Sequence, residues 1–494
     1  MVHEEGDTYV DDGGQIQRDS ASLALDWRLT PDIVWSVDTL YQDRKVNGAY
    51  YGVVGVGYTP VELPVIDGSR RLASPFSWYG TRYELFGSEL NWRLSSDWDL
   101  RLSFRQTRQE RINRNSVLFT EPDGDYAEFQ YDSRGRFRGR EWQALLNGRL
   151  STGTLQHALV LGASSGERPS GGTGFDGVLL GMGRLGSGAR FEPVPLPGTG
   201  AMLRDGMVRQ QALFASDTIT FDPRWSAIVG LRYTDFRQAA YNRDGSRSSE
   251  PYHETVLTPT VAVLFKPVEP VTVYGSYVES LEQGQSAPSD GSASNPNETM
   301  PPLKSKQYEI GVKTDHADWG ASAALFRLDR GLHYIRPEDR RFTQDGLARY
   351  QGLELSAKAR LTPAWTVTGG LMWLDAKNTK AAAGVDGKRA EGAPRTQASV
   401  YAEYAVAALP GLSLNAGAQY HGSRALDSAN TVMLDSYALL DLGARYQTRL
   451  GGHDTTFRLN VDNVTDRAYW QGSWGFILTQ GAPRTVRASA QIDF

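Results

Sequence analysis

An alternation of apolar and polar residues with a period of two recurs along this chain. It is clearest in the last nine residues, 486–494. Their apolar members share one face of a strand: Val486, Ala488, Ala490, Ile492 and Phe494. The intervening residues are Arg487, Ser489, Gln491 and Asp493. Such a strand is typical of a transmembrane β-barrel, in which one face contacts lipid and the other faces water or a polar plug.

The same pattern appears in many upstream segments, and no clear helical segment separates them. Good examples are residues 21–29, 98–105, 307–313, 412–420 and 457–462. A period of two that recurs this often predicts a sheet built from antiparallel strands. The fold class that the sequence indicates is therefore all-β, an antiparallel transmembrane barrel.

Composition agrees with a barrel and excludes several other classes. The mean hydropathy of −0.43 looks soluble, but a barrel exposes only every second residue to lipid. No apolar run approaches the roughly 18 residues of a membrane-spanning helix. The chain has no cysteine, so it offers neither disulfides nor a thiolate metal site. A net charge of −5 argues against nucleic-acid binding.

Short turns and long loops alternate along the chain. Tight turns, several with Pro or Asp, are predicted near Pro31, Ser96, Gly153, Pro223, Pro267, His316, Pro363, Pro410 and Gly452. Long loops rich in Gly, Ser, Asp, Pro and Tyr are predicted at 45–79, 111–138, 167–206, 281–302 and 376–394. Outer-membrane barrels have this asymmetry, with short periplasmic turns and long extracellular loops.

Counting strands between these turns gives about 19, an odd number for a bacterial single-chain barrel. The first strand, near Ser20–Leu29, is then expected to lack an antiparallel partner on its N-terminal side. An open edge in lipid is costly, because each unpaired backbone group costs several kcal/mol. We therefore expect either that the first and last strands pair with each other in an unusual way, or that further strands N-terminal to this chain complete the barrel.

Several segments resemble TonB-dependent siderophore receptors of the Gram-negative outer membrane. Three of them look like the last three strands of that family, in order: 437–446, 459–470 and 481–494. Three further segments also fit: Leu303–Lys313, Tyr350–Leu355 and Glu391–Arg395. The likeness covers nearly the whole chain, and the ordered C-terminal set is its most specific part.

The resemblance implies a barrel of 22 strands with a plugged lumen, of which this chain would supply about 19. It predicts that residues 1–494 are the barrel domain of an N-terminally truncated receptor, without the plug and the TonB-contacting segment. The acidic N-terminus has neither a basic nor an apolar signal-peptide region, which predicts a mature chain or a fragment.

The resemblance also implies a function and a set of partners. The intact protein would import a ferric siderophore, for which the hydroxamate type is the candidate, with energy from the TonB complex. Iron would enter only as part of that ligand, and no covalently bound cofactor is expected. Other implied partners are outer-membrane lipid, lipopolysaccharide and the barrel-assembly machinery. That machinery would read the terminal strand as an assembly signal, through Val486, Ala488, Ala490, Ile492 and Phe494.

Aromatic residues in the loops are the candidate ligand-binding residues, because their rings offer wide contact area and a polar group. The candidates are Tyr50, Tyr51, Trp78, Tyr79 and Trp474. Anchoring at the lipid headgroups uses the same residue types and is an alternative for each of them. For tryptophans on the strands, such as Trp27 and Trp142, that anchoring role is preferred.

Other functional classes have less support. The seven histidines are scattered singly, and no catalytic constellation can be assembled, so we do not expect an enzyme. A passive porin would use similar alternation but would not match the C-terminal segments. A surface receptor or adhesin barrel would use the long exposed loops. A plug encoded upstream would favour the siderophore receptor over the porin.

Overall fold

We describe a computed structural model of the 494-residue chain. The residues described are 1–10, 14–48, 52–55, 65–121, 123–173, 176–196, 200–242, 244–248, 250–288, 291–474 and 477–493.

The chain folds into 26 strands within the described residues. Their bounds are β1 Val2–Asp7, β2 Gln15–Thr30, β3 Ile33–Asn47, β4 Gly52–Gly55, β5 Trp78–Arg93, β6 Trp98–Thr120, β7 Asp125–Thr152, β8 Leu155–Gly172, β9 Asp176–Arg184, β10 Leu203–Thr220, β11 Trp225–Ala240, β12 Tyr252–Phe265, β13 Thr272–Glu282, β14 Leu303–Asp315, β15 Trp319–Ile335, β16 Phe342–Arg360, β17 Trp365–Lys380, β18 Thr396–Ala405, β19 Leu412–His421, β20 Arg424–Ala425, β21 Met433–Leu434, β22 Tyr437–Leu450, β23 His453–Asp462, β24 Trp470–Trp474, β25 Ile477–Gln480 and β26 Thr485–Asp493.

All strands except β20 and β21 belong to one sheet of 24 strands. Within it, nineteen strands follow one another as antiparallel neighbours, in the order β2, β3, β5, β6, β7, β8, β10 to β19, β22, β23 and β26. The predicted antiparallel barrel wall of about 19 strands is thus confirmed. All nine predicted tight turns join neighbouring strands of this series.

Side chains alternate between two faces of the wall, as the sequence pattern requires. On β11, for example, Val229, Leu231 and Tyr233 are each about half exposed and share one face. The outer face also carries Trp27, Trp142 and Trp373, each more than half exposed. The opposite face carries most of the charged and amide side chains and forms the lumen side. Across the described residues, no helix is long and apolar enough to cross a membrane.

The expectation that the first strand lacks an upstream partner is wrong. Strand β1 pairs antiparallel with the extracellular half of β2, from Val2 opposite Ser20 to Asp7 opposite Gln15. The sequence pattern did not reveal β1 because the strand is only six residues long and half of its residues are acidic. Within the ranges described, no backbone pairing joins β26 to β1 or β2.

One predicted loop is largely strand, and about half of a second one is strand. Residues 111–138 form the continuation of β6 and β7, which pair up to Thr120 opposite Tyr126. Residues 167–206 include the end of β8, all of β9 and the start of β10. Membrane-spanning strands need only about 9–11 residues, so β6 and β7 extend well beyond the membrane on the extracellular side. One pairing in this region, between β4 and β6, is parallel, so the sheet is not wholly antiparallel.

Candidate functional site

On the extracellular side the sheet has a branch, where short loop strands pair with the upper ends of β6 and β7. Strand β9 pairs with β7, β4 pairs with β6, β25 pairs with β4, and β24 pairs with β25. We call these four short strands and the upper ends of β6 and β7 the loop sheet. Through β4 and β25 it connects the N-terminal strands with the last hairpin of the chain.

One face of the loop sheet is covered by other loops, which form an apolar core. We call this the loop core; its buried members are Val53, Leu72, Ala73, Leu118, Tyr126, Leu426, Val432, Leu434, Trp470 and Leu478. Val53, Leu118 and Leu478, from three adjacent strands, are completely buried. The core therefore joins loops from both ends of the chain into one packed unit.

A carboxylate lies inside this unit. Glu128 is completely buried, and its Oε1 accepts hydrogen bonds from the Ser74 amide at 2.9 Å and the Ser116 hydroxyl at 2.7 Å. The Ser74 hydroxyl in turn accepts a bond from the Phe191 amide at 2.8 Å. Burial, with a smaller contribution from Glu128, raises the pKa of Tyr126 to about 12. These bonds fix the loops at 74 and 191 to the end of β7.

The last extracellular loop is ordered by a single asparagine. Asn463 has a left-handed backbone (φ 49°) and is buried. Its Oδ1 accepts a bond from the Arg467 amide at 2.9 Å, and its Nδ2 donates to the carbonyl oxygens of Arg467 and Ala482, each at 3.0 Å. This asparagine thereby ties together the two ends of the loop that carries Tyr469 and Trp470.

Three aromatic rings stack on the lumen side at the extracellular end of the wall. We call His421, Tyr437 and Tyr469 the aromatic column. The centroids of His421 and Tyr437 are 4.9 Å apart and those of Tyr437 and Tyr469 are 4.1 Å apart, with interplanar angles of 24° and 26°. Leu442, an odd number of residues from Tyr437 on the same strand, is exposed on the outer face, which places Tyr437 on the lumen side.

A buried arginine supports the column. The Arg424 guanidinium lies 5.7 Å from the centre of the Tyr437 ring and donates to the Trp470 carbonyl at 3.0 Å. Burial raises the pKa of Tyr437 and of Tyr469, so both phenols stay neutral at physiological pH. The column therefore presents flat, uncharged rings toward the lumen beside a fixed positive charge.

A cavity of about 410 Å³ lies in the lumen wall beside the column and shares His421 with it. Its lumen-facing lining is Ser322, Glu354, Ser356, Gly370, Met372, Gln397, Ser399, Gln419 and His421. Amide, hydroxyl and thioether groups dominate this lining. Together the cavity and the column combine apolar contact area with hydrogen-bonding groups, as small-molecule sites commonly do.

The structure separates the aromatic residues that the sequence suggested for binding. Trp78 and Tyr79 are adjacent on β5 and therefore point to opposite faces. Trp78 lies on the outer-face side, where its ring is 5.2 Å from the Lys45 ammonium, and Tyr79 lies on the lumen side. Trp474 ends β24, but its side chain lies outside the part described, as do Tyr50 and Tyr51.

The terminal strand has the predicted two-faced arrangement. Val486, Ala488 and Ala490 are exposed and lie opposite Val461, Leu459 and Phe457 of β23. Ile492 continues this outer face and is 45% exposed. Phe494 lies outside the described residues. The role of these residues as an assembly signal stays a prediction.

These features define a class of protein: an outer-membrane β-barrel whose extracellular loops pack together beside a ligand-sized lumenal cavity. Residues 26–464 match the family described as TonB dependent receptor-like, beta-barrel. The chain belongs to this family, and its location is the outer membrane.

Known relatives agree with this assignment. The chain is 27% identical to the ferrichrome receptor FcuA of Yersinia enterocolitica, over 100% of this chain and 66% of the relative. It is also 27% identical to the ferrioxamine B receptor of Salmonella typhimurium, over 66% of this chain and 46% of the relative. The chain thus spans at most about two thirds of the length of these relatives.

The fold is also similar to that of a solved receptor. The crystal structure of BauA, the ferric preacinetobactin receptor of Acinetobacter baumannii, superposes with a TM-score of 0.90 at 24% identity. The superposition covers 100% of this chain and 74% of BauA. At this identity the likeness concerns the fold.

Proposed function

We propose that residues 1–494 are the barrel domain of a receptor that imports a ferric siderophore, with energy supplied by the TonB complex. Two relatives that are 27% identical are named for ferrichrome and ferrioxamine B, which are both hydroxamate siderophores. We therefore propose the hydroxamate class as the ligand. The function is binding and transport, with no covalent chemistry on the ligand.

The observation that carries this proposal is the aromatic column beside the lumenal cavity. Ferric hydroxamates are bulky chelates with apolar and polar surface, and the chelator already fills the coordination sphere of iron. Flat neutral rings suit the apolar surface, and the amide and hydroxyl groups of the cavity suit the polar surface. The protein therefore needs no iron ligand of its own.

Ligand binding to the purified protein in mild detergent tests the proposal. Quenching of tryptophan fluorescence would be titrated with ferrichrome, ferrioxamine B and a ferric catecholate. We expect saturable binding of at least one hydroxamate, weakened roughly tenfold by Tyr437→Ala or Tyr469→Ala, since loss of one ring contact costs about 1.4 kcal/mol.

The matched control is Tyr308→Ala. Tyr308 is 47% exposed on the outer face of β14, away from the column and the cavity, so its removal should leave binding unchanged. Equal weakening by Tyr308→Ala would reject the column as the site. Absence of saturable binding by any hydroxamate would reject the ligand class, and non-saturable solute flux through reconstituted protein would favour a porin.

A further inference from the structure

Three hydrogen-bonded side chains lie where the β7–β8 hairpin reaches the periplasmic end of the wall. Thr152 ends β7, His157 is near the start of β8, and Asp217 is near the end of β10. The Thr152 hydroxyl is 2.7 Å from Nε2 of His157, and Oδ2 of Asp217 is 2.6 Å from Nδ1 of the same ring. We call these three residues the hairpin triad. The sequence did not reveal the triad, because Asp217 is 60 residues from His157 along the chain.

The hairpin triad is on the lipid-facing side of the wall. Along β8, His157 shares the face of Leu161, which is 41% exposed on the outside. Along β10, Asp217 shares the face of Leu213, which is 64% exposed on the outside. The bond to His157 places the Thr152 hydroxyl on that side as well. An ionisable group that faces lipid costs free energy, so a carboxylate here calls for a functional explanation.

The triad is at the level where the membrane meets the periplasm. Ile219 is opposite His157 on one side and opposite Ala227 on the other. Two residues before Ala227 is Trp225, whose exposed ring stacks on Phe265 with centroids 4.4 Å apart. Aromatic residues of this kind mark the membrane–water interfaces of a barrel. The ester carbonyls of phospholipids lie in the same zone, between the headgroups and the acyl chains.

The two hydrogen bonds assign a role to each side chain. An ionised carboxylate can only accept, so Nδ1 of His157 carries the ring proton and Nε2 accepts from the Thr152 hydroxyl. Hydroxyl, imidazole and carboxylate are thus joined in the order found in Ser-His-Asp hydrolases. Within the described part of the chain, Oδ1 of Asp217 is buried without a hydrogen-bond partner. The charge of this carboxylate therefore acts on the imidazole alone.

Backbone amides next to the hydroxyl are available for a developing oxyanion. Gly153 and Thr154 are the central residues of the hairpin turn, and their amides have no acceptor among the residues described. Gly153 has a φ of 63°, and a Cβ at this position would meet nothing within 4 Å. The space beside the turn is therefore open to a carbonyl group. In many hydrolases the amide after the nucleophile donates to the oxyanion.

We propose that the hairpin triad hydrolyses acyl esters of phospholipids in the inner leaflet of the outer membrane. The Thr152 oxygen attacks the ester carbonyl carbon while Nε2 of His157 takes the hydroxyl proton. The bond from this carbon to the glycerol oxygen then breaks, and the proton passes from His157 to that oxygen. The products of this first step are a lysophospholipid and an acyl ester of Thr152.

Water completes the reaction. His157 takes a proton from water as the water oxygen attacks the acyl carbonyl, and the proton then passes to the departing Thr152 oxygen. A fatty acid is released and the triad returns to its starting state. Asp217 is a positioning residue, which holds the imidazole in the required tautomer and stabilises its protonated form.

The bilayer itself presents the substrate, so the triad needs no enclosed pocket. Leu150, directly opposite His157, is 36% exposed and offers apolar contact to an acyl chain. The proposal requires only that the protein is an outer-membrane barrel. It concerns lipid and does not depend on which siderophore the protein binds.

Fatty-acid release from phosphatidylethanolamine, in mixed micelles with the purified 494-residue protein, tests the proposal. Mass spectrometry would follow the fatty acid and the lysophospholipid. We expect turnover by the native protein, and Thr152→Ala and His157→Ala should each slow it roughly 10²- to 10⁴-fold. Asp217→Asn should lower kcat and leave KM unchanged, because the lipid contacts stay while the imidazole loses its orientation.

The matched control is Ser151→Ala. Ser151 is on the same hairpin, but its hydroxyl is on the lumen side and donates to Gln156 at 2.8 Å, so its removal should leave turnover unchanged. Thr152→Ser keeps a hydroxyl at the reacting position and should retain turnover, which separates lost chemistry from a lost fold. A long-chain alkyl fluorophosphonate should label Thr152 in the native protein and leave the His157→Ala variant unlabelled.

Three results would overturn the proposal. The first is no fatty-acid release by the native protein. The second is equal release by the native protein and Thr152→Ala, which would assign the activity to a contaminating lipase. The third is an equal loss of turnover in Ser151→Ala, which would show that the hairpin acts only through its structure.

Discussion

Val53 and Leu478 are direct cross-strand partners, although Val53 follows the second strand of the wall and Leu478 belongs to the last hairpin. Both side chains are completely buried in the loop core. The nearby Gln480 side chain donates to the Asp67 carbonyl at 2.6 Å. This hydrogen bond also joins the first long loop to the last one. The extracellular loops of the two chain ends therefore form one structural unit.

The pairing predicts a disulfide when both residues are replaced by cysteine. Direct cross-strand neighbours have Cβ atoms about 4.5–5.5 Å apart, close to the separation that a disulfide needs. The chain contains no cysteine, so the double variant Val53→Cys/Leu478→Cys would carry the only two thiols. Peptide mass spectrometry of protein from the oxidising cell surface should find the 53–478 cross-link.

The control for this cross-link is Val53→Cys/Ala293→Cys. Ala293 is also buried but belongs to a different core, with Ala287, Met300 and Phe342. It should leave both thiols free. Free thiols in the Val53/Leu478 variant would show that β4 and β25 are not paired in the membrane.

Removal of one core side chain should loosen the loop sheet without disturbing the wall. Leu478→Ala deletes a fully buried side chain, a change that costs about 2–5 kcal/mol. Hydrogen exchange at the amides of β4 and β25 should accelerate, while exchange in β15 should not change. Leu409→Ala, in an exposed periplasmic turn, is the control and should alter neither region. Uniform acceleration throughout the wall would contradict an independent loop unit.

The barrel wall could be predicted from the sequence because its signal is periodic and repeated. Each strand of the wall shows alternation over many residues, and each turn has Pro, Gly or Asp at suitable positions. The loop sheet has no such signal. Strand β4 is only four residues, Gly52–Gly55, and its partners are far away along the chain. Its pairing depends on tertiary contacts, which a local pattern does not encode.

The candidate site was less predictable because side-chain direction depends on register. The sequence directs attention to loop aromatics, but Trp78 and Tyr79 cannot share a face of one strand. The aromatic column requires the register that places His421 opposite Tyr437, together with the loop that brings in Tyr469. Period-two alternation on β22 could have assigned Tyr437 to the lumen, but not its stacking partners.

Glu128 should stabilise the loop unit through the bonds that its Oε1 accepts. Glu128→Ala would leave the buried Ser74 amide without a partner, at a cost of about 1–3 kcal/mol. Glu128→Gln keeps an oxygen at that position and should cost less. Limited proteolysis of intact cells, followed at residues 65–77, should show faster cleavage for the alanine variant than for the glutamine variant. Equal cleavage of all three proteins would show that these bonds do not hold the loop.

Tyr126 should make the loop unit sensitive to alkali. Its phenol is buried, and its pKa is raised from 10 to about 12 because the charged form is disfavoured in the folded loops. Stability from the neutral phenol is therefore fully present below pH 10 and is lost as the pH rises toward 12, by up to about 3 kcal/mol.

Hydrogen exchange in β4 and β25, corrected for the intrinsic effect of pH, should accelerate over this range. Tyr126→Phe should remove most of that acceleration, whereas Tyr420→Phe, on the exposed outer face, should retain it. If the Tyr126→Phe protein loosens with pH as the native protein does, another group is responsible for the alkaline transition.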